Sequence, residues 1–250
     1  MVDLMTIVKA LDEELRTSEI PDYGGALNGL QLENNGEVTR VALAVDASLA
    51  VIEEAVSVGA DLLIVHHGLF WQGAQRITAG VYKKLNAAMS NNLAVYSSHL
   101  PLDIHPKLGN NAVLAEKIGL ESPEPFFDWK GIQLGLVGDW SKSWEQLVSA
   151  VEQEVGILLT SHQEREKVGR LGVITGGAGS EVQAVRDCGI DTFLSGEGPH
   201  WSFPLAQEIG LSYLLAGHYA TEVFGVNALG KFLTEIFQLP VSFLDHPTQL

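Results

Sequence analysis

The sequence is poor in cysteine and in positive charge, and each scarcity excludes a class of protein. One cysteine, Cys188, among 250 residues excludes an intrachain disulfide and is typical of a reducing compartment. Lys and Arg number 15 against 31 Asp and Glu, for a formal net charge of −16 at pH 7. Because binding to a phosphate backbone depends on Lys and Arg, we expect no nucleic-acid partner.

Long hydrophobic runs are also missing. No uninterrupted apolar stretch approaches the ~20 residues that a membrane span requires, so we expect no association with a membrane. Residues 1–20 carry acidic side chains on a helical pattern, unlike the basic and then apolar layout of a signal peptide. The expected location is therefore the cytoplasm. The 46% of apolar residues is enough for one large or two smaller α/β domains.

The chain has an internal similarity. A shift of 130 positions aligns two stretches without a gap, so that Trp71 falls on Trp201. Each stretch has the pattern strand, helix, glycine turn, strand, which is typical of a right-handed βαβ unit. The alternative is a chance similarity between two such units. We predict an α/β fold of two related lobes, 1–125 and 126–250, with mixed sheets flanked by helices. A C-terminal helix is expected to pack back on the first lobe.

Local patterns place the elements around the middle of the chain. Glu121–Pro125 holds two prolines and predicts a boundary between the lobes. Gly131–Asp139 predicts a strand, and Ser143 with Gln146 predicts a capping box that opens a helix. A short strand is expected over residues 156–161, and a C-terminal helix over residues 221–237.

A histidine doublet is the strongest chemical signal. His66 and His67 end an apolar run, and Gly68 follows them at once, so the run predicts a buried strand. Side chains alternate along a strand, and the two imidazoles are expected to diverge unless the strand breaks into the loop. Two imidazoles that diverge can bind two different metal ions. Alternatively, one binds an ion and the other orients a ligand of that ion.

Two further pairs lie at the carboxyl ends of predicted strands, where open α/β sheets bind their ligands. His99 precedes Asp103 by four residues, and His218 precedes Glu222 by four. Imidazoles and carboxylates in this mixture suit Zn, Fe, Mn or Co rather than Ca or Mg alone. Alternatives stay open for three of them: Asp103 as a turn cap, Glu222 as an acid in a first helical turn, and His99 as a group that orients a ligand or carries protons.

The second half offers candidates for proton transfer. Glu197 aligns on His67 in the internal similarity, and His200 follows it closely. The two are interpreted as an acid and a base that face the metals, or as parts of a polar turn. Asp46 and Ser48 are interpreted as helix caps. The remaining histidines are expected at the surface: His105, His162 and His246.

A glycine loop follows a predicted strand and opens a helix, so its amides could hold a phosphate. It lacks the lysine of a P-loop. The candidate residues are Gly176, Gly177 and Gly179.

Four motifs together resemble one family. The chain is similar to the Nif-three-like dinuclear-metal-centre family, often labelled GTP cyclohydrolase 1 type 2 homologues. The resemblance covers nearly the whole chain, including a segment near its start, and the extra domain of some members is missing. The residues that carry it are His66-His67-Gly68, Ser98–Asp103, Ser195-Gly-Glu197, Gly217–Glu222 with Phe224-Gly225, and Asn28–Gln31.

The resemblance implies two related α/β lobes with a dinuclear metal site between them. It also implies a toroidal homohexamer built as a trimer of dimers. The metal ligands that carry over are His66, His67, Asp103, His218 and Glu222. Glu222 would bridge both ions; His66 and Asp103 would hold one, and His67 and His218 the other. The ions are two divalent metals per chain, drawn from Zn, Fe, Mn, Co or Ni.

The predicted function is that of a metal-dependent hydrolase acting on a nucleotide-like small molecule. If the cyclohydrolase label holds, water attacks C8 of the guanine ring of GTP, and the opened ring releases formate. Glu197, His99 or His200 would move the protons. The alternative is a metal-binding or metal-delivery scaffold without catalysis. A structural zinc site fits less well, because such sites close around one ion, commonly with cysteines.

Overall fold

The fold is taken from a computed structural model that describes residues 1–156, 158–161 and 167–248. The strands are β1 (Val2–Asp3), β2 (Gly29–Leu32), β3 (Glu37–Val38), β4 (Val41–Asp46), β5 (Leu62–His67), β6 (Ala94–Ser97), β7 (Glu121–Trp129), β8 (Ile132–Trp140), β9 (Leu159–Ser161), β10 (Gly169–Ile174), β11 (Thr192–Ser195), β12 (Ser212–Leu215) and β13 (Val241–Phe243). The helices are α1 (Leu4–Leu15), α2 (Leu49–Ser57), α3 (Ala79–Ser90), α4 (Leu100–Asp103), α5 (Asn110–Ile118), α6 (Trp144–Val155), α7 (Val182–Asp187), α8 (Ser202–Glu208) and α9 (His218–Phe237), with a 3-10 helix at Ala178–Glu181.

The first compact unit contains Met1–Leu102 and Gly225–His246. Its main sheet has the strand order β13-β4-β5-β6-β2, in which only β2 runs antiparallel to its neighbour. β4 and β5 are apolar and buried along nearly their whole length, as strands covered on both faces must be. β1 and β3 form a separate antiparallel pair.

The second compact unit contains Asp103–Phe224 with Pro247 and Thr248. Its sheet has the order β7-β8-β10-β11-β12-β9. The three strands β10, β11 and β12 are parallel, and the remaining pairings are antiparallel. The fold is therefore mixed α/β in both units, with mixed sheets flanked by helices, and the predicted fold class is confirmed in that respect.

The two units share one strand arrangement. Val41 of β4 pairs with Leu62 of β5, and Leu171 of β10 pairs with Thr192 of β11. The paired residues of the second unit therefore lie 130 positions after those of the first, which is the shift seen in the sequence. In each unit a third parallel strand follows, and an antiparallel strand lies beyond it. A common origin by duplication stays a prediction.

The observed division of the chain differs from the predicted halves. Asp103 and the chain from α5 onward lie in the second unit, whereas α9 from Gly225 and strand β13 lie in the first. At Gly230 of α9 an added Cβ would meet the Leu43 side chain at 2.5 Å, so the helix packs closely on β4.

The predicted boundary at Glu121–Pro125 is wrong as a linker, because these residues begin β7. β7 is the edge strand of its sheet. Proline is tolerated at an edge because its missing amide faces away from the ladder. A register shift between Glu121 and Glu124 accompanies the prolines.

The other local predictions are confirmed within a few residues. Ser143 and Gln146 form the capping box that begins α6. β8 begins and ends one residue later than expected, and α9 begins at His218, three residues earlier. β9 lies within the expected short strand, of which residue 157 falls outside the described residues. Among the described residues, none of the helices combines the length and the apolar character needed to cross a bilayer.

Candidate metal centre

Three imidazoles gather at the carboxyl end of the parallel strands in the first unit. His66 and His67 end β5, and His99 follows the neighbouring strand β6. Their candidate ligand nitrogens all lie within 4.8 Å of one another. His66 is fully buried and His67 half-buried. Parallel strands bring these side chains together because their carboxyl ends meet at one edge of the sheet.

The histidine doublet does not diverge as expected. The ring centroids of His66 and His67 lie 4.7 Å apart. The Nδ1 atoms of the two rings instead contact different neighbouring strands. Nδ1 of His66 lies 2.8 Å from the carbonyl oxygen of Ser98, which follows β6. That of His67 lies 2.9 Å from Oδ1 of Asp46, at the end of β4. Asp46 therefore contacts an imidazole rather than capping a helix, while Ser48 does cap α2.

These contacts fix the imidazole tautomers. A carbonyl oxygen and a carboxylate accept hydrogen bonds, so the Nδ1 atoms of His66 and His67 donate. The neutral rings then keep their lone pairs on Nε2. An imidazole whose Nδ1–H donates to a carboxylate or to a backbone carbonyl is the usual form of a metal-binding histidine.

His99 is held by a network near the N-terminus. Its Nδ1 lies 2.9 Å from Oδ1 of Asp22, and its backbone amide donates to Asn28 at 2.8 Å. Asn28 also donates to Asp22, as does the amide of Leu100. Burial raises the pKa of Asp22, but the hydrogen bond and charge of His99, with the hydrogen bonds from Asn28 and the Tyr23 amide, outweigh it and hold the pKa below its usual value. His99 is thus built into the cluster with a carboxylate partner of its own.

The second unit brings together Glu197, His218 and Glu222. Nδ1 of His218 lies 3.1 Å from Oε1 of Glu197, and Nε2 lies 3.0 Å from Oε1 of Glu222. Glu222 is 2% exposed, one turn along α9 from His218. Burial lowers the pKa of His218, but the carboxylates of Glu222 and Glu197 raise it to about 9. A cation that binds at Nε2 must displace the proton held there.

The glycine loop allows the side chains of Glu222 and His218 to approach the backbone. A Cβ on Gly176 would lie 2.2 Å from Oε1 of Glu222, and one on Gly177 would lie 3.3 Å from Cε1 of His218. The amide of Gly176 donates to Oγ1 of Thr221, and that of Gly179 donates to the Glu197 carbonyl. Both amides are therefore engaged within the protein, and neither supports the predicted phosphate contact.

Asp103 is positioned by two buried asparagines. Nδ2 of Asn110 donates to Oδ1 of Asp103 at 2.8 Å. Asn111 donates to the carbonyl oxygens of Asp103 and Leu134, and its own Oδ1 accepts from the amide and the hydroxyl of Thr175. Asp103 is 8% exposed. The sequence analysis missed both asparagines, although they follow Asp103 closely in an otherwise unremarked helix start.

Other candidate residues lie elsewhere. His200 is exposed in the turn before α8. His246 pairs with Glu54, and the ring of His105 accepts from the amides of Lys107 and Leu108. His162 lies outside the described residues.

The candidate donors within each unit have the chemistry that divalent transition metals prefer. His66, His67 and His218 are imidazoles with an oxygen partner at Nδ1, and Asp103 and Glu222 are carboxylates buried from water. A buried carboxylate requires positive charge or hydrogen-bond donors nearby. Imidazole and carboxylate donors without thiolate suit Zn, Fe, Mn, Co or Ni. The described histidine and glutamate groups can therefore hold a metal ion.

Comparison with known proteins gives one consistent answer. The chain is 37% identical over 247 residues to a Deinococcus radiodurans protein named GTP cyclohydrolase 1 type 2 homolog, covering 98% of this chain and 93% of that protein. It resembles a solved structure named protein ybgI, of unknown function, with a TM-score of 0.92 and 35% identity over 100% of both chains. Reduced HcgD from Methanocaldococcus jannaschii is similar with a TM-score of 0.89 and 32% identity over 98% of both chains.

The family model described as Duf34/NIF3 (NGG1p interacting factor 3) matches residues 2–249. The match spans both compact units, and the resemblance noted from the motifs is confirmed. The chain belongs to the NIF3 family.

Proposed function

We propose that this protein binds two divalent metal ions and uses them to hydrolyse a nucleotide-like small molecule. The ligands are His66, His67, Asp103, His218 and Glu222. His66 and Asp103 would hold one ion, His67 and His218 would hold the other, and Glu222 would contribute to both. The family name carried by relatives makes GTP the first substrate to test.

One observation supports the metal proposal above the others. The three proposed histidine ligands each direct Nδ1 at an oxygen of the protein: the carbonyl of Ser98, the carboxylate of Asp46 or the carboxylate of Glu197. This pattern presents Nε2 to an ion and fixes the plane of each ring.

The chain's own groups have separable roles around these ligands. Two divalent ions, when bound, act as Lewis acids and lower the pKa of water toward neutrality. Glu197 orients His218, and Asp22 orients His99, which leaves Nε2 of His99 beside the doublet as a group that can accept a proton. His200, which is exposed to solvent, is also proposed for proton transfer, and this proposal is based on its position in the sequence alone.

Metal content is the test of the proposed site. We expect about two equivalents of transition metal per chain in protein purified without chelator, and a loss in both His66→Ala and Glu222→Ala. His246→Ala, which removes a histidine paired with Glu54, is the matched control and keeps its metal. Wild-type protein that stays metal-free after supplementation with Zn, Mn and Fe(II) would contradict the proposal.

The alternative function is a metal-binding or metal-delivery scaffold. Turnover separates the two, because an enzyme with its metal in place loses activity in His99→Ala while it keeps its fold. We expect formate release from GTP, or hydrolysis of another nucleotide, by the metal-loaded wild type. A metal-loaded protein that hydrolyses no nucleotide and passes its ions readily to a chelator is a carrier.

Assembly and location stay proposals as well. We propose a homohexamer, a trimer of dimers, in the cytoplasm, without nucleic-acid or membrane partners. Native mass spectrometry of the full chain tests the assembly, and the mass of a monomer or a dimer at micromolar concentration would contradict it.

A further inference from the structure

Two large aromatic side chains stand exposed beside the three imidazoles of the first unit. Trp71 is 41% exposed and Tyr23 is 51% exposed. The Trp71 ring lies 4.7 Å from the His99 ring and 5.5 Å from the His67 ring, between centroids. Tyr23 lies 6.1 Å from His99. Exposed aromatic side chains clustered beside a polar site are typical of ligand-binding surfaces.

The two rings form a corner. Their centroids lie 6.4 Å apart, and their planes meet at 66°. A flat ligand that stacks on Trp71 or on Tyr23 therefore presents its edge to the other ring, and aromatic pairs favour both contacts. A flexible aliphatic ligand would gain less from such a corner, because it has no flat face to stack.

The corner is rigidly built by one glutamine. Oε1 of Gln31 accepts from the amide of Leu69, in the loop that leads to Trp71. Nε2 of Gln31 donates to the carbonyl oxygens of Ala26 and Leu27, in the segment that follows Tyr23. One side chain thus joins the two backbone segments that carry the aromatic rings. A preorganised surface loses less entropy when a ligand binds.

Gly25 lets the backbone segments of the two aromatic residues approach each other closely. A Cβ on Gly25 would lie 2.1 Å from the carbonyl oxygen of Trp71, so only glycine permits the two segments to touch there. The tether joins the buried residues Ala26 and Leu69, whereas Trp71 and Tyr23 remain exposed.

We propose that Trp71 and Tyr23 bind the ring of a purine-sized nitrogen heterocycle beside the histidine cluster. The proposal deepens the proposed function and rests on it for the chemistry that follows binding. The two aromatic side chains contact the ring of the ligand, and nothing in the proposal requires a phosphate. An uncharged nucleoside is therefore a sufficient ligand.

Inosine is the probe, and ribose, which lacks the ring, is its control. We expect the metal-loaded full chain to bind inosine and not ribose by isothermal titration calorimetry. Trp71→Ala weakens inosine binding by about tenfold, the usual effect of removing a stacking partner, and Trp71→Phe has a smaller effect. Trp201→Ala is the matched control, since Trp201 is 50% exposed, is related to Trp71 by the shift of 130 positions and lies in the other unit.

Metal content is measured in the same samples, so that the two proposals fail separately. Wild type that lacks metal and still binds inosine through Trp71 supports the ring site and contradicts the metal centre. Metal-loaded wild type that does not bind inosine overturns the ring site alone. Unchanged inosine binding in Trp71→Ala also overturns it, and an altered oligomeric mass of that variant would assign the aromatic corner to contact between chains.

Discussion

Asp46 and His67 are register partners at the ends of adjacent parallel strands, and their side chains meet at 2.9 Å. The pairing of the two strands therefore places the carboxylate of Asp46 beside the imidazole of His67. Because the contact holds Nδ1 of His67, it governs how firmly Nε2 is presented to an ion.

Asp46→Asn should weaken metal binding without unfolding the protein. Loss of a carboxylate behind a histidine ligand typically costs 10- to 100-fold in metal affinity. Competition with a chelator of known affinity measures the change. Asp128→Asn, at an exposed position on β7, is the control and should bind metal like wild type. Equal affinity in Asp46→Asn and wild type would remove Asp46 from the site.

Gly176→Ala should displace Glu222. Gly176 has a φ of +67°, and the new Cβ would stand 2.2 Å from Oε1 of Glu222. We expect the variant to lose metal. Gly131→Ala provides the same kind of backbone strain, at φ +85°, where a Cβ meets no described atom within 4 Å. Both variants should lose about 1 kcal/mol of stability from a left-handed alanine, and only Gly176→Ala should lose the metal. Metal loss in both would show that general destabilisation is the cause.

Asn111→Ala should destabilise the second unit. Asn111 is 2% exposed and makes hydrogen bonds to Asp103, Leu134 and Thr175. Its removal leaves several buried polar groups without their partner, and we expect the free energy of unfolding to fall by about 2–4 kcal/mol. Urea unfolding measures it. Asn91→Ala, which removes one exposed hydrogen bond, should change stability by less than about 1 kcal/mol. Similar losses in both variants would contradict the central role of Asn111.

Stability should fall at alkaline pH. Burial raises the pKa of Tyr213 to about 12 from a reference of 10.0. The neutral phenol is thus favoured in the folded state, and its stabilising effect is complete below pH 10 and lost as pH rises through 12. Tyr213→Phe should therefore show a shallower decline of the free energy of unfolding between pH 10 and 12. The exposed Tyr82→Phe should follow wild type. Identical slopes for Tyr213→Phe and wild type would contradict this prediction.

The three imidazoles of the candidate site could be predicted because each follows an apolar run that is typical of a buried strand. The apolar run before His66 and the strands before His99 and His218 place all three imidazoles at carboxyl strand ends, as the structure does. Such a pattern depends on neighbours in sequence. It therefore identifies ligands that directly follow a strand.

The residues that position the candidate ligands could not be found in this way. Asp22 acts on His99 across 77 positions of sequence, and Asp46 acts on His67 across 21. Only the folded chain brings such partners together: the pairing of β4 with β5 does so for Asp46, and the segment between α1 and β2 does so for Asp22. The glycine loop resembles a phosphate loop in sequence, and two of its amides, those of Gly176 and Gly179, donate to Thr221 and Glu197 instead; phosphate binding by the loop stays a prediction.

The prolines of β7 have a consequence for how this chain can associate. Pro123 and Pro125 offer no amide, and Ser122 has a left-handed φ of 45°, so the outer side of β7 is a poor template for another strand. Sheets that end in a regular strand can grow from one molecule into the next, in ordered assemblies and in aggregates alike. This edge resists that growth, and subunits that meet there must join through packed side chains.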